Sequence, residues 1–476
     1  MLGRRMGGIR ALALWLAVAT PAGPARAEGH DRVVSENAVQ PPGASFEGQP
    51  AVGRAQMIRI AREALAASAR ATACAPIRSM AQVSGRLVER LAVRAVEVAS
   101  LHGGCPTHCH GASACDLGGG SGGPQVPARL TLLPSSEASI RALLDLIASA
   151  SCRIDLMMYG WEDDPTGREV ATALADAARR GVQVRLMADR TGVLIHNPAA
   201  AEGRWIFLDE LRAVPNVTLI EPPGPFFRFD HRKLAVVDGR VAWSGSMILT
   251  EVARRRWRNV NFLAEGPIVP QYVAMFEDRW REVGGPPEGP LPPAPAAVPP
   301  MPPNAHVRMV RTDIHERSLK DTIYHAVDHA RRHLYLENPY FSDDILTEKL
   351  IAARERGVDV RAILTLRGNV RRLNRYETLT ANRLLRGGVR VFLYPAMTHV
   401  KAMSADGVWA YVGTGNFDEL SLRNNREVSL SISSPDVAGE LDRTVFLPDM
   451  AASQELRALM PAPKNWLHLA LMELWY

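Results

Sequence analysis

Residues 231–239 read HRKLAVVDG and residues 399–407 read HVKAMSADG. Both spell His-x-Lys-x4-Asp, as His231, Lys233 and Asp238 and again as His399, Lys401 and Asp406. Three fixed residues recur by chance only about 0.06 times in a chain of this length, so a duplication explains two copies better. On a strand, alternation puts the His and Lys of each copy on one face and Leu234 and Val236 on the other, toward a core. Asp-Gly then turns the chain, and RVAWSGS (240–246) and VWAYVGTGN (408–416) return as the second strands of two hairpins. This reading makes Asp238 and Asp406 turn-formers, structural rather than chemical. An imidazole attacks or donates a proton, and an ammonium holds a phosphate. Two such pairs imply one site built from two similar halves. Lysine usage sharpens the point: of 56 Lys plus Arg only five are lysines, and Lys233 and Lys401 are two of them. Lysine is a slim point charge where arginine is a broad fork.

The flanking sequence repeats as well. RIDLMMYGWEDDPTG (153–167) precedes a helical pattern ending AARRGVQVRLMAD (177–189), and HLYLENPYFSDDIL (333–346) precedes one ending AARERGVDVRAILT (352–365). Each helix stops at Arg-Gly, with glycine as C-cap, and a β-branched strand follows. Repeated strand–helix–strand order predicts an α/β fold with a largely parallel sheet in two pseudo-equivalent domains. Tyr159, Asp163 and Asp164 lie at the end of the first strand, as loop caps or substrate contacts. Asn338, Pro339, Tyr340 and Phe341 hold the equivalent place in the second half, where Phe341 reads as packing.

The 476 residues, 47% hydrophobic, suffice for two or three domains. The net charge is +6, falling to +2 without the four arginines of residues 1–27, which is weak support for a nucleic-acid partner. The basic runs RRRWR (254–258) and RGNVRRLNR (367–375) read as solvated faces. Residues 1–27 carry a basic start, the apolar ALALWLAVAT (11–20) and small residues before Glu28, the pattern of a cleaved signal peptide. That implies a periplasmic or secreted protein, able to associate with a membrane surface. The five cysteines, Cys74, Cys105, Cys109, Cys115 and Cys152, favour disulfides over a metal site in such a compartment, and the odd number leaves one thiol over. The divisions are then a signal peptide (1–27), a helical Cys- and Gly-containing region (28–125), a first domain (126–283), a linker with ten prolines (284–304) and a second domain (305–476). Trp466, Trp475 and Tyr476 close the chain in a helix read as docking onto the domain rather than lying in a membrane interface.

Beyond His399 the second half delivers Gly413, Thr414 and Asn416 and then Glu427 in NNREVSL. A carboxylate at that place can fix an imidazole's tautomer and stabilise its cation, and the sequence spacing assigns Glu427 to His399. With both His-x-Lys-x4-Asp copies, these residues resemble the phospholipase D superfamily, most closely its bacterial cardiolipin synthase and phosphatidyltransferase branch. MMYGWEDDPTG, FDHRKLAVVDGR, ENPYF and GNFDELSLRNNREV carry the likeness, which spans roughly 127–460.

The resemblance implies two pseudo-symmetric α/β/α sandwich domains sharing one active-site cleft, behind a mainly helical N-terminal region. It implies a phosphohistidine mechanism on glycerophospholipids with His231, Lys233, His399, Lys401 and Glu427 catalytic and with Ser246, Thr414 and Asn416 binding phosphate. No metal or other cofactor is required, the partner is phospholipid at a membrane surface, no stable nucleic-acid partner is expected, and the chain is a monomer. The first half departs from the pattern: Ile248 stands where Asn416 would, and Asn259 where Glu427 would. On that ground His231 lacks the support His399 has, and His399 becomes the expected nucleophile with His231 as acid and base. Two alternatives stay open: a secreted phosphodiesterase or nuclease using the same site, and a degenerate phosphate-binding homologue.

Overall fold

Strand–helix–strand units form where the sequence repeats, for the same local reasons in each half. The computed structural model describes residues 117, 119, 121–197, 200, 206–222, 228–287, 302–369 and 371–461, without the side chains of 371–373. The chain divides into two units, Met1–Glu63 and Ala64–Tyr476, and every described residue belongs to the second. The signal peptide, the N-terminal helices, four of the five cysteines, the C-terminal aromatics and the centre of the Pro-rich segment therefore fall outside the described residues.

The strands of the first half are β1 (Val126–Leu133), β2 (Arg153–Met158), β3 (Gln183–Ala188), β4 (Val217–Ile220), β5 (Lys233–Val237), β6 (Val241–Gly245), β7 (Trp257–Arg258) and β8 (Asn261–Glu265). Those of the second are β9 (Ala305–Thr312), β10 (His333–Asn338), β11 (Asp359–Thr365), β12 (Arg390–Tyr394), β13 (Met397–Thr398), β14 (Ala402–Ala405), β15 (Trp409–Gly413), β16 (Glu427–Ser433) and β17 (Gln454–Glu455). Asp164 caps the helix Pro165–Arg179 by accepting from the Gly167 amide, and Asp343 caps Asp344–Glu355 through the Leu346 amide. Both acids sit where a helix leaves its first amides unpaired. Gly181 (φ 98°) and Gly357 (φ 94°) end the two helices in the left-handed region, as Arg-Gly predicts.

Fifteen strands form one sheet, in the order β17-β12-β11-β10-β14-β15-β16-β9-β1-β8-β6-β5-β2-β3-β4. This order corrects the expectation of a largely parallel sheet. Only β2–β3–β4 and β10–β11–β12 run parallel; the whole middle is antiparallel. The cause is the pair of motif hairpins, β5–β6 and β14–β15, which insert antiparallel strands into each half. The halves meet where β1 pairs β9, with Val126 opposite Val307 and Ala128 opposite Ala305.

Both faces of the sheet are buried. Leu234 and Val236 face an apolar cluster shared by the two halves, containing Phe262, Tyr272, Phe276, Val307 and Phe446. Ala235 and Val237 face the opposite cluster, which belongs almost wholly to the first half, and Leu334, Leu336 and Tyr411 belong to its counterpart in the second. One shared face and two private ones give the α/β/α layering.

The motif aspartates act on the backbone. Asp238 (φ 52°) and Asp406 (φ 55°) take the left-handed conformation a tight hairpin needs. The Asp238 carboxylate accepts from the amides of Ser151 (2.9 Å), Cys152 (2.8 Å) and Arg153 (2.8 Å), so it fastens the hairpin to the start of β2. Asp406 does the same for Arg331, Arg332 and His333 at the start of β10. Asp238→Ala strands amides that nothing replaces, which costs about 1–3 kcal/mol. The expected result in urea denaturation is a lower midpoint with an unchanged m-value. A fall in turnover per folded molecule of more than about threefold would instead make Asp238 part of the chemistry.

Cys152, half-buried, is the one cysteine among the described residues, and it is free. The RRRWR run is a solvated face only at Arg255 and Arg256, which are exposed. Arg254 pairs Glu137 (2.8 Å) and Glu169 (2.5 Å), and Arg258 pairs Asp449 of the second half (2.7 Å).

Candidate active site

Each motif histidine is docked on the main chain of the other half. The His231 amide donates to the Arg426 carbonyl (2.9 Å), and the Arg426 amide returns a bond to the Phe229 carbonyl (2.8 Å). The His399 amide donates to the Arg258 carbonyl (2.7 Å), beside the β13·β7 ladder that pairs Thr398 with Arg258. Residues 427 and 259, one step further along those strands, therefore meet the imidazole of the opposite half.

That geometry overturns the pairing expected from spacing. Glu427 binds His231, with Nδ1 at 2.8 Å from Oε1 and 3.0 Å from Oε2. His399 Nδ1 instead lies 3.0 Å from the Asn259 amide oxygen. His231 is thus the imidazole with a carboxylate behind it, and His399 has a neutral amide. Exchange across the pseudo-dyad is the physical reason: the two-half sheet brings 196 residues of separation to contact distance.

Two hydroxyls expected to bind phosphate are committed elsewhere. Thr414 donates to Glu427 Oε2 (2.6 Å) and accepts from the Val428 amide (3.0 Å). Ser246 donates to the Asn259 amide oxygen (3.0 Å) and accepts from the Val260 amide (3.0 Å). They hold the residues behind the imidazoles rather than facing a ligand. Ser421, on the π-helical turn Leu420–Asn424, adds a further bond to Glu427 (2.7 Å) that no sequence pattern announces. The Asn259 side-chain nitrogen donates to Ser136 (3.1 Å) and to the Ala253 carbonyl (3.2 Å), which orients its oxygen toward His399. Both histidines then carry their proton on Nδ1 and keep the other nitrogen free for chemistry.

Lys233 Nζ donates to the His231 carbonyl (2.6 Å) and lies over the Tyr159 ring (5.3 Å). Lys401 Nζ donates to the His399 carbonyl (2.9 Å). Asn416 is buried with its side-chain oxygen unpartnered, whereas Ile248 belongs to the first-half core. Tyr159 packs edge-on against His231 (4.7 Å), and Trp257 lies against His399 (5.0 Å). Asp163 pairs Arg168 and Asp164 caps its helix, so neither reaches the imidazoles.

Burial dominates the electrostatics. It pushes His231 down to about 4, against the pull of Glu427, with Lys233 adding to the fall. It pushes His399 well below the usual imidazole range, helped by Lys401, Lys233 and His231. The four groups therefore feel one another across the cleft, and both imidazoles are neutral in the empty site. Burial also lowers Lys233 to about 7, and it lowers Lys401 strongly, with Lys233 next in effect. Burial would raise the Glu427 carboxyl, but His231, Lys233 and Thr414 outweigh it and hold it low. Among the described residues no three His, Cys, Asp or Glu side chains gather as a metal site.

A duplicated α/β/α fold with two buried His-Lys pairs on one cleft defines the phospholipase D class of phosphodiester-acting enzymes. Residues 143–280 and 323–445, more than half the chain, match the family described as cardiolipin synthase, PLD-like domain, and the chain belongs to that family. It is 28% identical over 369 residues to cardiolipin synthase A of Edwardsiella ictaluri, covering 72% of this chain and 73% of the relative. It is 29% identical over 349 residues to cardiolipin synthase A of Salmonella arizonae, covering 69% and 68%. The fold is similar to that of the phosphatidylserine synthase of Haemophilus influenzae Rd KW20, with a TM-score of 0.56 at 16% identity over 74% of this chain and 95% of that one.

Proposed function

We propose that the protein is a phosphatidyltransferase of phospholipase D type in which His231 is the nucleophile and His399 the acid and base. The observation that carries the assignment is the crossed pairing of Glu427 with His231 and Asn259 with His399. His231 Nε2 attacks phosphorus of a glycerophospholipid, and the bond to the headgroup alcohol breaks. His399, which takes a second proton on its free nitrogen when the anionic phosphodiester enters the cleft, gives that proton to the departing oxygen, leaving a phosphatidyl-histidine and a neutral His399. Glu427 stabilises the positive charge that His231 acquires. In the second step His399, now neutral, takes the proton of an incoming alcohol or water. That oxygen attacks phosphorus and expels His231. An alcohol yields a new phosphodiester, and water yields phosphatidic acid. Lys233, Lys401 and Asn416 neutralise the non-bridging oxygens.

The chain of basic start, apolar run and small residues in 1–27 supports export, so we place the mature protein in the periplasm or outside the cell, acting as a monomer on a membrane surface. The test incubates mature protein with phosphatidylcholine vesicles, with and without glycerol and EDTA. EDTA-resistant formation of phosphatidic acid, or of a transferred phosphatidyl product, is expected. Cleavage of DNA with lipid untouched would move the assignment to a nuclease.

The lysines add a pH signature. Lys233 is charged below about 7 and loses its proton above it. A diester anion such as dibutyl phosphate does not titrate in this range. Its competitive inhibition is therefore tightest below about pH 7 and weakens by up to about tenfold per pH unit above. Inhibition that stays flat from about pH 6 to about pH 9 would contradict a lysine-held phosphate.

A further inference from the structure

The helix Arg371–Arg386 buries a stripe of Thr380, Ala381 and Leu384, and Glu377 lies on that stripe. Glu377 is 4% exposed, and neither carboxyl oxygen has a hydrogen-bond partner. A buried unpartnered carboxyl costs several kcal/mol unless something else uses it. One turn on, Thr380 donates to the Phe341 carbonyl (2.8 Å), which sets this helix against the end of β10. There Tyr340 donates its hydroxyl to the Asn369 side-chain oxygen, and Glu377, Tyr159 of the first half and Asp418 lie near enough to act on that phenol. Asn338 accepts from the Tyr340 and Phe417 amides (3.3 and 3.1 Å), but its side-chain nitrogen is unpartnered, like the oxygen of the neighbouring Asn416. A side chain at Gly368, next to Asn369, would meet Met397 at 3.7 Å, two residues before His399. Unsatisfied polar atoms of Asn338, Asn416 and Glu377 thus belong to the second half, and Tyr340 is tied through Asn369 to the Gly368 loop beside Met397, two residues before His399.

We propose that Glu377, with Tyr340, forms the subsite for the alcohol exchanged at phosphorus, and that Glu377 is the residue selecting a polyol there. The inference rests on the transferase reading, because in both steps the alcohol is the partner of His399 and must lie on its side of the phosphate. Burial raises the Glu377 carboxyl well above its ordinary range, which favours its protonated form. A protonated carboxyl offers one donor and one acceptor, the complement of a hydroxyl. A cationic headgroup would require the ionised form, beside a cleft that already holds Lys233 and Lys401.

The test uses a soluble short-chain phosphatidyl p-nitrophenol as donor and an equimolar mixture of glycerol and 1-propanol as acceptors. Both products come from one covalent intermediate, so their ratio is independent of total rate. The parent favours glycerol; Glu377→Ala lowers the glycerol-to-propanol ratio about tenfold, the loss of a single hydrogen-bonded contact. Glu377→Gln, which keeps a donor and an acceptor, retains most of the preference. An unchanged ratio in Glu377→Ala overturns the proposal and assigns Glu377 to the fold. Preference for ethanolamine over glycerol in the parent, with Glu377→Gln failing like Glu377→Ala, overturns it in favour of an ammonium site. Absence of any p-nitrophenol release by the parent would remove the transferase reading, and the subsite with it.

Discussion

His399→Asn protein, given an aryl phosphodiester, is expected to accumulate a phosphoryl adduct on His231 and to turn over very slowly. Departure of an aryl oxide needs little help from an acid, so the first step survives the loss of His399. The second step does not, because an incoming alcohol or water needs a base at the same place. General acid–base catalysis contributes about 10²–10⁴-fold, and that is the expected loss in steady-state rate. With an alkyl headgroup both steps suffer, and no adduct builds up. His231→Asn protein forms no adduct with either substrate. Peptide mass spectrometry under mildly alkaline conditions locates the acid-labile phosphoryl group. An adduct on His399 in the His231→Asn protein, with none in the converse variant, would exchange the roles of the two histidines.

Glu427→Gln is the second large effect. The carboxylate receives His231 Nδ1 and the hydroxyls of Thr414 and Ser421, all of them donors. Glutamine keeps one acceptor oxygen but turns an NH2 group toward donors, and it removes the charge that stabilises the His231 cation. Loss of an orienting acid behind a catalytic imidazole costs about 10⁴-fold in kcat, and KM for lipid should move by less than about threefold. Asn259→Asp works in the opposite sense on the other imidazole. His399 lies well below its ordinary pKa through burial and nearby cations, with a neutral amide at Nδ1. A carboxylate there raises it by favouring the imidazolium. The acid form is lost as pH rises through that pKa, so raising the pKa carries the alkaline limb of kcat to higher pH. The variant loses the donation to the Ala253 carbonyl (3.2 Å), and about 1–3 kcal/mol of stability with it. A profile that does not move would remove His399 as the proton donor.

Much of this fold is legible in the residues alone. Arg-Gly stops, capping acids ahead of each helix and Asp-Gly turns act within a few residues, so the repeated units and the motif hairpins follow directly. The sheet's direction does not, because the strand–helix–strand rule points to parallel strands while the two hairpins, equally legible, impose antiparallel ones and prevail. The basic run at 254–258 misleads at Arg254 and Arg258 because their partners, Glu137, Glu169 and Asp449, lie far away in sequence. Ser421 and Glu377 leave no signal: one is a common residue in a turn, the other an acid in a helix of mixed composition.

The chain's order of residues by itself determined that two His-Lys pairs exist, that each shares a strand face, and that Asp238 and Asp406 turn the chain. Those are properties of backbone geometry over at most about nine consecutive positions. Only the tertiary structure decided which residue stands behind which imidazole. Glu427 lies at the same offset from His399 as Asn259 does from His231, so counting along the chain pairs each with its own half. Joining the halves through β1 and β9 places each imidazole against the other half's strand, and contact through space, not spacing, sets its partner.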